Sequence, residues 1–321
     1  MNCMIPDIDA VQVEQIEKNT KRHKTTKPIL TQSTSKLKIG YKKTCNCNEK
    51  HLNCLSPKEW VKSQVAIQPF YYQSRDVRDK NIHPATYPIS LPTHFIKLFT
   101  HEGELVLDPF VGIGTTLIAA RDLNRNAVGF DLKKEYIDYA KKRLSQSSLK
   151  DTSQQLLVCD DAINIPKYLE EETISLSVTS PPYANMLNHQ RKNKSMRADL
   201  RENEHYMKVQ QYSNNPNDLG TMNHIDYADA LTRIYKGIYK VMKPNGNVVV
   251  NVNDVWENNK RYATHIYVIN ALEAAGFEFR NTIIWDKRDL VNKVGIFGWP
   301  SNFITLGATM EFILHFRKPS I

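Results

Sequence analysis

The residues best placed to do chemistry fall in two short stretches. The first is Glu104 to Thr116, which reads Glu-Leu-Val-Leu-Asp-Pro-Phe-Val-Gly-Ile-Gly-Thr-Thr. Leu105, Val106 and Leu107 form an apolar run, as a buried parallel strand does. Asp108-Pro109-Phe110 ends that run, Gly112 and Gly114 make a turn, and Thr115 to Leu123 reads as a helix. A strand, a glycine turn and a helix bring backbone N–H groups close to a nucleotide-like ligand. A phosphate loop would need Lys and then Ser or Thr after its last glycine, whereas Thr115 and Thr116 follow here with no Lys. A dinucleotide fingerprint would need a small third residue where Leu117 stands. A second strand, Ala127 to Phe130, ends on Asp131, and a carboxylate at that point can accept both ribose hydroxyls. These residues point to a ligand with adenosine but no pyrophosphate, and S-adenosylmethionine fits.

The second stretch is Thr179-Ser180-Pro181-Pro182-Tyr183, delivered by the strand-like run Thr173 to Val178. With both stretches in view, the chain resembles the DNA amino-methyltransferases, which methylate N4 of cytosine or N6 of adenine. That family pairs an Asp-Pro-Phe-x-Gly-x-Gly-Thr-Thr cofactor motif with a catalytic (Ser/Asp/Asn)-Pro-Pro-(Tyr/Phe) motif. The resemblance covers roughly residues 80 to 318. It implies a Rossmann-like α/β sheet with helices on both faces and a closing antiparallel hairpin. It also implies S-adenosyl-L-methionine as cofactor, double-stranded DNA as partner, and a restriction-modification setting with a separate cognate endonuclease. The site residues it implies are Ser180, Pro181, Pro182 and Tyr183 for catalysis. For the cofactor they are His83, Pro84, Asp108, Pro109, Phe110, Gly112, Gly114, Thr115, Thr116, Asp131 and Asp160. The His83-Pro84-Ala85 segment and the helix after it would close over the methionine end. Asp160 is taken over Asp161 as the partner of the adenine amino group, because it lies nearer the third strand's end.

The catalytic motif suits an exocyclic amine whose lone pair is delocalised into the base. Such a base must first be flipped from the duplex. Tyr183 can stack on the flipped face. The prolines stiffen the turn and offer carbonyls with no competing N–H. Ser180 and the Pro181 carbonyl can then hold the two amine hydrogens and aim the nitrogen at the methyl, so catalysis is mostly positioning. In the family Ser at the first motif position goes mostly with cytosine N4, which is the expected target, with adenine N6 the alternative. An RNA guanine-N2 methyltransferase would more often carry Asp- or Asn-Pro-Pro-Tyr and an added RNA-binding domain, and a non-catalytic DNA-binding module would be expected to have lost one motif. In many Ser-Pro-Pro enzymes the catalytic half comes first. Here the cofactor half does, and besides the catalytic sheet only the insert 184–224, the loop 286–309 and the first 80 residues remain, with no separate large recognition domain, so sequence recognition is unassigned.

The elements that must position these residues follow from the pattern. The chain has 321 residues, 41% of them hydrophobic, enough for one large domain with additions. It has no run of eighteen apolar residues and no apolar signal region, so a cytoplasmic protein is expected. Its net charge of +9 suits a polyanion partner. Residues 1–80 read as an N-terminal extension, partly flexible, with a basic cluster from Lys18 to Lys27. Residues 81–321 read as the catalytic domain. Within it Leu156-Leu157-Val158 makes the third strand, Ile225 to Val241 a helix, and Val248 to Val252 a buried strand. Phe277 to Trp285 and Phe312 to Phe316 make the antiparallel closing pair. The insert 184–224 is polar and basic, the loop 286–309 carries Trp299 and basic residues, and both are candidates for DNA contact. Cys45, Cys47, His51 and Cys54 are four soft ligands within ten residues. Their spacing is not that of a standard zinc finger, so they read as a loop of free thiols and no metal site is assigned.

Overall fold

The computed structural model describes residues 36–47, 53–73, 86–146, 152–184, 215, 217–257, 260–289, 298–299, 303–304 and 309–320. In chain order its elements are α1 (Pro57–Ser63), β1 (Ile67–Gln68), α2 (Ser90–Phe99), β2 (Leu105–Asp108), α3 (Thr115–Asp122), β3 (Asn126–Asp131), α4 (Lys134–Ser145) and β4 (Gln155–Cys159). They continue with α5 (Ile165–Tyr168), β5 (Ile174–Thr179), α6 (His224–Val241), β6 (Met242–Val252), β7 (Val255–Glu257), β8 (Lys260–Tyr262) and α7 (Thr264–Ala274). The last four strands are β9 (Glu278–Asp286), β10 (Gly298–Trp299), β11 (Phe303–Ile304) and β12 (Met310–Arg317).

The core is an eight-stranded sheet in the order β1-β9-β12-β6-β5-β2-β3-β4. Strands β4, β3, β2, β5 and β6 are parallel. Strand β12 runs antiparallel to both β6 and β9, with Phe312 opposite Ile284 and Val252. This is the closing pair expected from the sequence. The chain winds outward from β2 to one edge, returns to β5 and winds the other way. The reversal lies between β2 and β5, and in an open α/β sheet the ligand crevice forms outside the strand ends at such a point.

The strands alternate their side chains between two apolar layers. Leu105, Leu107, Val128, Val248 and Val250 face a cluster that includes Leu231 and Ile238 of α6 and Val268 and Leu272 of α7. Val106, Leu176, Val178 and Val249 face the other, which includes Phe95 and Ile96 of α2, Leu117 of α3 and Ile137 of α4. Each fully buried aliphatic side chain of this kind stabilises the fold by roughly 1.5–3 kcal/mol relative to exposure. Both faces of the sheet are thus covered, which is why its strands read as continuous apolar runs.

Part of the N-terminal extension is joined to this sheet. Ile67 and Gln68 pair in parallel with Ile284 and Trp285 of β9. Phe70 is buried against Trp285, whose indole N–H donates to the Phe70 carbonyl at 3.1 Å. Helix α2 begins at Ser90 with Pro92 in its first turn, where proline is tolerated. One boundary differs from the sequence reading. Strand β6 begins at Met242, because Lys243 to Gly246 bulges out between Ile174 and Leu176 of β5 instead of breaking the strand. Among the described residues, no helix is long and apolar enough to cross a membrane.

Candidate active site at the ends of β2, β3 and β5

Asp108 is the last residue of β2 and is 1% exposed. Its Oδ1 accepts from Thr179 Oγ1 at 2.7 Å and from the Phe110 N–H at 3.1 Å. Its Oδ2 accepts from Tyr87 Oη at 3.1 Å and from Thr116 Oγ1. No cation is among these partners. Burial pushes the Asp108 carboxyl above its ordinary range, against the pull of these donors. This one carboxylate ties together the segment before α2 through Tyr87, the cofactor-type turn through Phe110 and Thr116, and the strand of the Pro-Pro motif through Thr179.

The turn after Asp108 is held by the Val111 N–H donating to the Phe130 carbonyl and the Gly114 N–H to the Val111 carbonyl, both at 2.8 Å. Gly112 and Gly114 both lie in the left-handed region, with φ of 48° and 84°. A side chain at Gly114 would also meet the Ala140 Cβ at 3.0 Å, so glycine there lets α3 start close against α4. Asp131, at the tip of β3, accepts from the Gly112 N–H at 2.9 Å through Oδ2 and from the Lys133 N–H at 2.8 Å through Oδ1. The carboxylate is thereby fixed facing the glycine turn. Loss of solvent raises its pKa to about 7 against these two N–H bonds, and the negative charges of Asp108 and Asp218 add to the rise.

Asp160 and Asp161 follow β4. Asp160 accepts from Tyr168 Oη at 2.8 Å, Asn164 Nδ2 at 3.0 Å and the Asp161 N–H at 2.8 Å. Asp161 caps the short turn Ala162–Asn164 by accepting the Ile163 N–H at 3.0 Å, the role a helix-capping aspartate takes. Its Oδ2 accepts from Asn217 at 3.1 Å.

Pro109, Phe110, Gly112, Thr115, Asp131, Asp160, Ser180, Pro181, Pro182 and Tyr183 all line one cavity. Asp108, Gly114 and Thr116 lie behind that lining rather than in it. His83 and Pro84 lie outside the described residues, as do residues 185–214 of the insert. Tyr183 is 8% exposed, packed at the margin of the core cluster that holds α6 while also facing the cavity.

Three residues that the sequence reading did not single out belong to this site. Tyr87 orients Asp108, as described above. Tyr136 lines the cavity, and burial and the nearby Asp131 charge push its hydroxyl well above the ordinary tyrosine range, so it stays neutral. Asp218 is 2% exposed and lines the cavity. Its Oδ1 accepts the Gly220 N–H at 2.9 Å, while its Oδ2 has no hydrogen-bond partner among the described residues. The signal for Asp218 was weak: an aspartate two residues before a glycine in a polar insert reads as a turn cap. A buried carboxylate oxygen without a donor is costly unless a ligand supplies one. An adenosine ligand with hydroxyl and amino donors and a cationic sulfonium suits a cavity lined by Asp131, Asp160, Asp161 and Asp218 together with apolar Phe110, Leu132 and Leu219.

Away from this cavity, at the other end of β2, the sulfurs of Cys45, Cys47 and Cys54 converge with the imidazole of His101. His51, the nitrogen ligand considered from the sequence, lies outside the described residues.

A family model described as DNA methylase, of the N6/N4 type, matches residues 7–142 and 174–321. The Type II methyltransferase M.HpaI of Haemophilus parainfluenzae is 43% identical over 67 residues, 21% of this chain and 21% of that protein. M.BglI of Bacillus subtilis is 39% identical over 92 residues, 29% of this chain and 26% of that protein. The matched stretches thus span about a fifth to a quarter of these relatives' lengths. Among solved structures, TrmN from Thermus thermophilus matches with a TM-score of 0.46 and 16% identity, covering 74% of this chain and 51% of that one.

Proposed function

The chain belongs to the family of DNA methylases, and from that premise we propose that it transfers a methyl group from S-adenosyl-L-methionine to the exocyclic N4 amine of a cytosine flipped out of double-stranded DNA. The observation that carries this reading is the shared cavity: the Ser180 to Tyr183 turn and the Asp131–Gly112 turn line the same space, and Asp108 ties the strands beneath them.

S-adenosyl-L-methionine supplies a sulfonium methyl group open to attack by a nitrogen lone pair. The chain's own residues bind and aim. Asp131, already fixed by two backbone N–H groups, offers its remaining lone pairs to ribose hydroxyls. Asp218 Oδ2 offers a further acceptor in the same cavity. The acidic lining favours a cationic ligand over a neutral one. Ser180 Oγ and the Pro181 carbonyl accept the two hydrogens of the target amine, and Tyr183 presents its ring to the base. Thr179, held by Asp108, fixes where that turn begins. No nucleophilic side chain is required, because the gain comes from a near-attack arrangement.

Serine at position 180 supports cytosine N4 as the target. The basic insert beyond Tyr183, with Arg191, Lys192 and Lys194, supplies charge suited to a DNA backbone. A restriction endonuclease acting separately on the same site is part of this proposal. The test is incubation with isotopically labelled cofactor and either duplex DNA or tRNA, followed by digestion to nucleosides and mass spectrometry. Labelled N4-methylcytosine from DNA is expected. Label only in N6-methyladenine would move the target to adenine, and label only in tRNA would overturn the DNA reading.

A further inference from the structure

We propose that Cys45, Cys47, Cys54 and His101 bind a structural zinc ion that fastens the N-terminal segment to the turn leading into β2. One ligand atom from each of the four residues lies within 4.8 Å of all the others. The Cys45 and Cys54 sulfurs are 3.3 Å and 3.6 Å from His101 Nδ1. A tetrahedral zinc, with Zn–S near 2.3 Å and Zn–N near 2.0–2.1 Å, requires sulfur-to-nitrogen edges of about 3.5 Å. The Cys45 and Cys54 edges to His101 already match that distance, and Cys47 lies within 4.8 Å of the same atoms. Three thiolates and one imidazole form one of the closed ligand sets of structural zinc, and four protein ligands leave no position for substrate.

The alternative, thiols packed as small apolar groups, does not suit this corner. A free cysteine used for packing is usually buried. All three here are only half-buried, and their sulfurs gather around one imidazole instead of packing into the core.

The backbone around the cluster is organised to bring the ligands together. Asn53 and Cys54 both take left-handed φ values, 44° and 68°, which turns Cys54 back toward the corner. Asn53 Nδ2 donates to the Leu98 carbonyl at 2.7 Å, docking this turn on the end of α2. The Thr44 N–H donates to the Glu102 carbonyl at 2.8 Å, which sets Cys45 beside His101. The His101 N–H donates to Glu104 Oε2 at 2.8 Å and so fixes the residue carrying the imidazole. Gly103 has a φ of 80°, and a Cβ there would lie 2.7 Å from the Lys42 carbonyl oxygen. Only glycine lets the cysteine-bearing segment lie this close to the turn. Two residues with left-handed backbone are a cost that four metal bonds readily offset, because zinc binding couples directly to local folding.

The bound ion would crosslink residues 45–54 to a residue 47 positions beyond Cys54. Coordination converts each thiol to a thiolate and releases its proton to solvent. The cluster sits before β2 and the methyl-transfer cavity lies after it, so the ion would be structural and need not touch the chemistry.

The full chain, purified under reducing conditions, should contain about one zinc per molecule by elemental analysis. Cys45→Ala, Cys54→Ala and His101→Ala should each reduce that content to near zero, while His51→Ala should leave it unchanged. Cobalt exchanged into the wild-type protein should show tetrahedral ligand-field bands with strong thiolate-to-cobalt charge transfer, which needs no variant to fold. Folded wild-type protein that carries no zinc, takes up none when zinc is added, and reacts at all three thiols with a disulfide reagent as fast as the denatured chain would overturn the proposal. So would loss of zinc from His51→Ala with retention in His101→Ala.

Discussion

A carboxylate stands at each end of β2, and the two are held in opposite ways. Glu104, just before the strand, bonds Lys243 Nζ at 3.0 Å and Ser175 Oγ at 2.8 Å, and accepts the His101 N–H at 2.8 Å. Burial works to raise its pKa, but the His101 N–H, Lys243 and Ser175 together hold it below the usual range. Asp108, at the other end, has only neutral donors, and burial wins. The end with its own lysine is electrostatically closed. The end without a cation leaves a buried carboxylate behind the lining of the candidate cavity, whose wall carries Asp131 and Asp218 as well. An enclosed charge unneutralised by the protein is what a site for a cationic ligand calls for.

Removing the two carboxylates one at a time should separate the two ends of β2 most clearly. Asp108→Leu leaves the Tyr87, Thr116 and Thr179 hydroxyls and the Phe110 N–H facing an apolar side chain. A loss on the order of 3–5 kcal/mol is expected in denaturant unfolding. Glu104→Gln should lose only about 1–2 kcal/mol, since Lys243 keeps the Tyr41 carbonyl and Ser175 as partners. Equal losses would show that the two ends are not built differently.

Removing Asp131 should act on binding more than on folding. In Asp131→Ala, S-adenosyl-L-methionine affinity should fall by about 1–3 kcal/mol by calorimetry, through lost ribose hydrogen bonds. Unchanged affinity in a folded variant would take Asp131 out of the site.

The smallest effect expected is a pH dependence. The pKa of Asp131 is raised to about 7, so its contribution to folding is fully present below the unfolded carboxylate range and is lost as pH rises through about 7. Cofactor affinity should run the other way, because ribose hydroxyls need the ionised carboxylate. The dissociation constant should therefore rise as pH falls below about 7, by at most about tenfold per unit. In Asp131→Asn that dependence should flatten, and a slope unchanged by the substitution would assign the titration to another group.

Much of this arrangement was legible in the residues because it is local. The apolar runs of β2, β3 and β5 carry the proposed site residues at their ends, and Asp108, Asp131 and Ser180 follow directly. What was not legible depends on contacts between distant segments. Strand β1 has two residues, one of them Ile67 at 58% exposure, and only its pairing with β9 makes it a strand. Tyr87 sits in a proline-punctuated stretch, and its bond to Asp108 spans 21 residues. His101 looked like an ordinary polar residue before a strand, because the cysteines it meets lie 47 and 56 positions earlier. Asp218 resembles a turn residue in sequence, and only the fold sets it in the cavity wall with its second oxygen unpartnered among the described residues.

Whether the Ser180 to Tyr183 turn carries the methyl transfer is decided by single-turnover methylation of a mapped DNA target by the parent protein and by Tyr183→Phe, Tyr183→Ala and Ser180→Ala. Tyr183→Phe should keep most of the rate, because the ring face remains. Tyr183→Ala should lose stacking worth about 1–3 kcal/mol, with a further rate loss from a misplaced amine. Ser180→Ala should slow the methyl-transfer step more than it weakens DNA binding, since its hydrogen bond matters most as the amine changes geometry. Methylation by both Tyr183→Ala and Ser180→Ala at the parent rate would contradict the account and leave Ser180 to Tyr183 a proline turn beside the cavity.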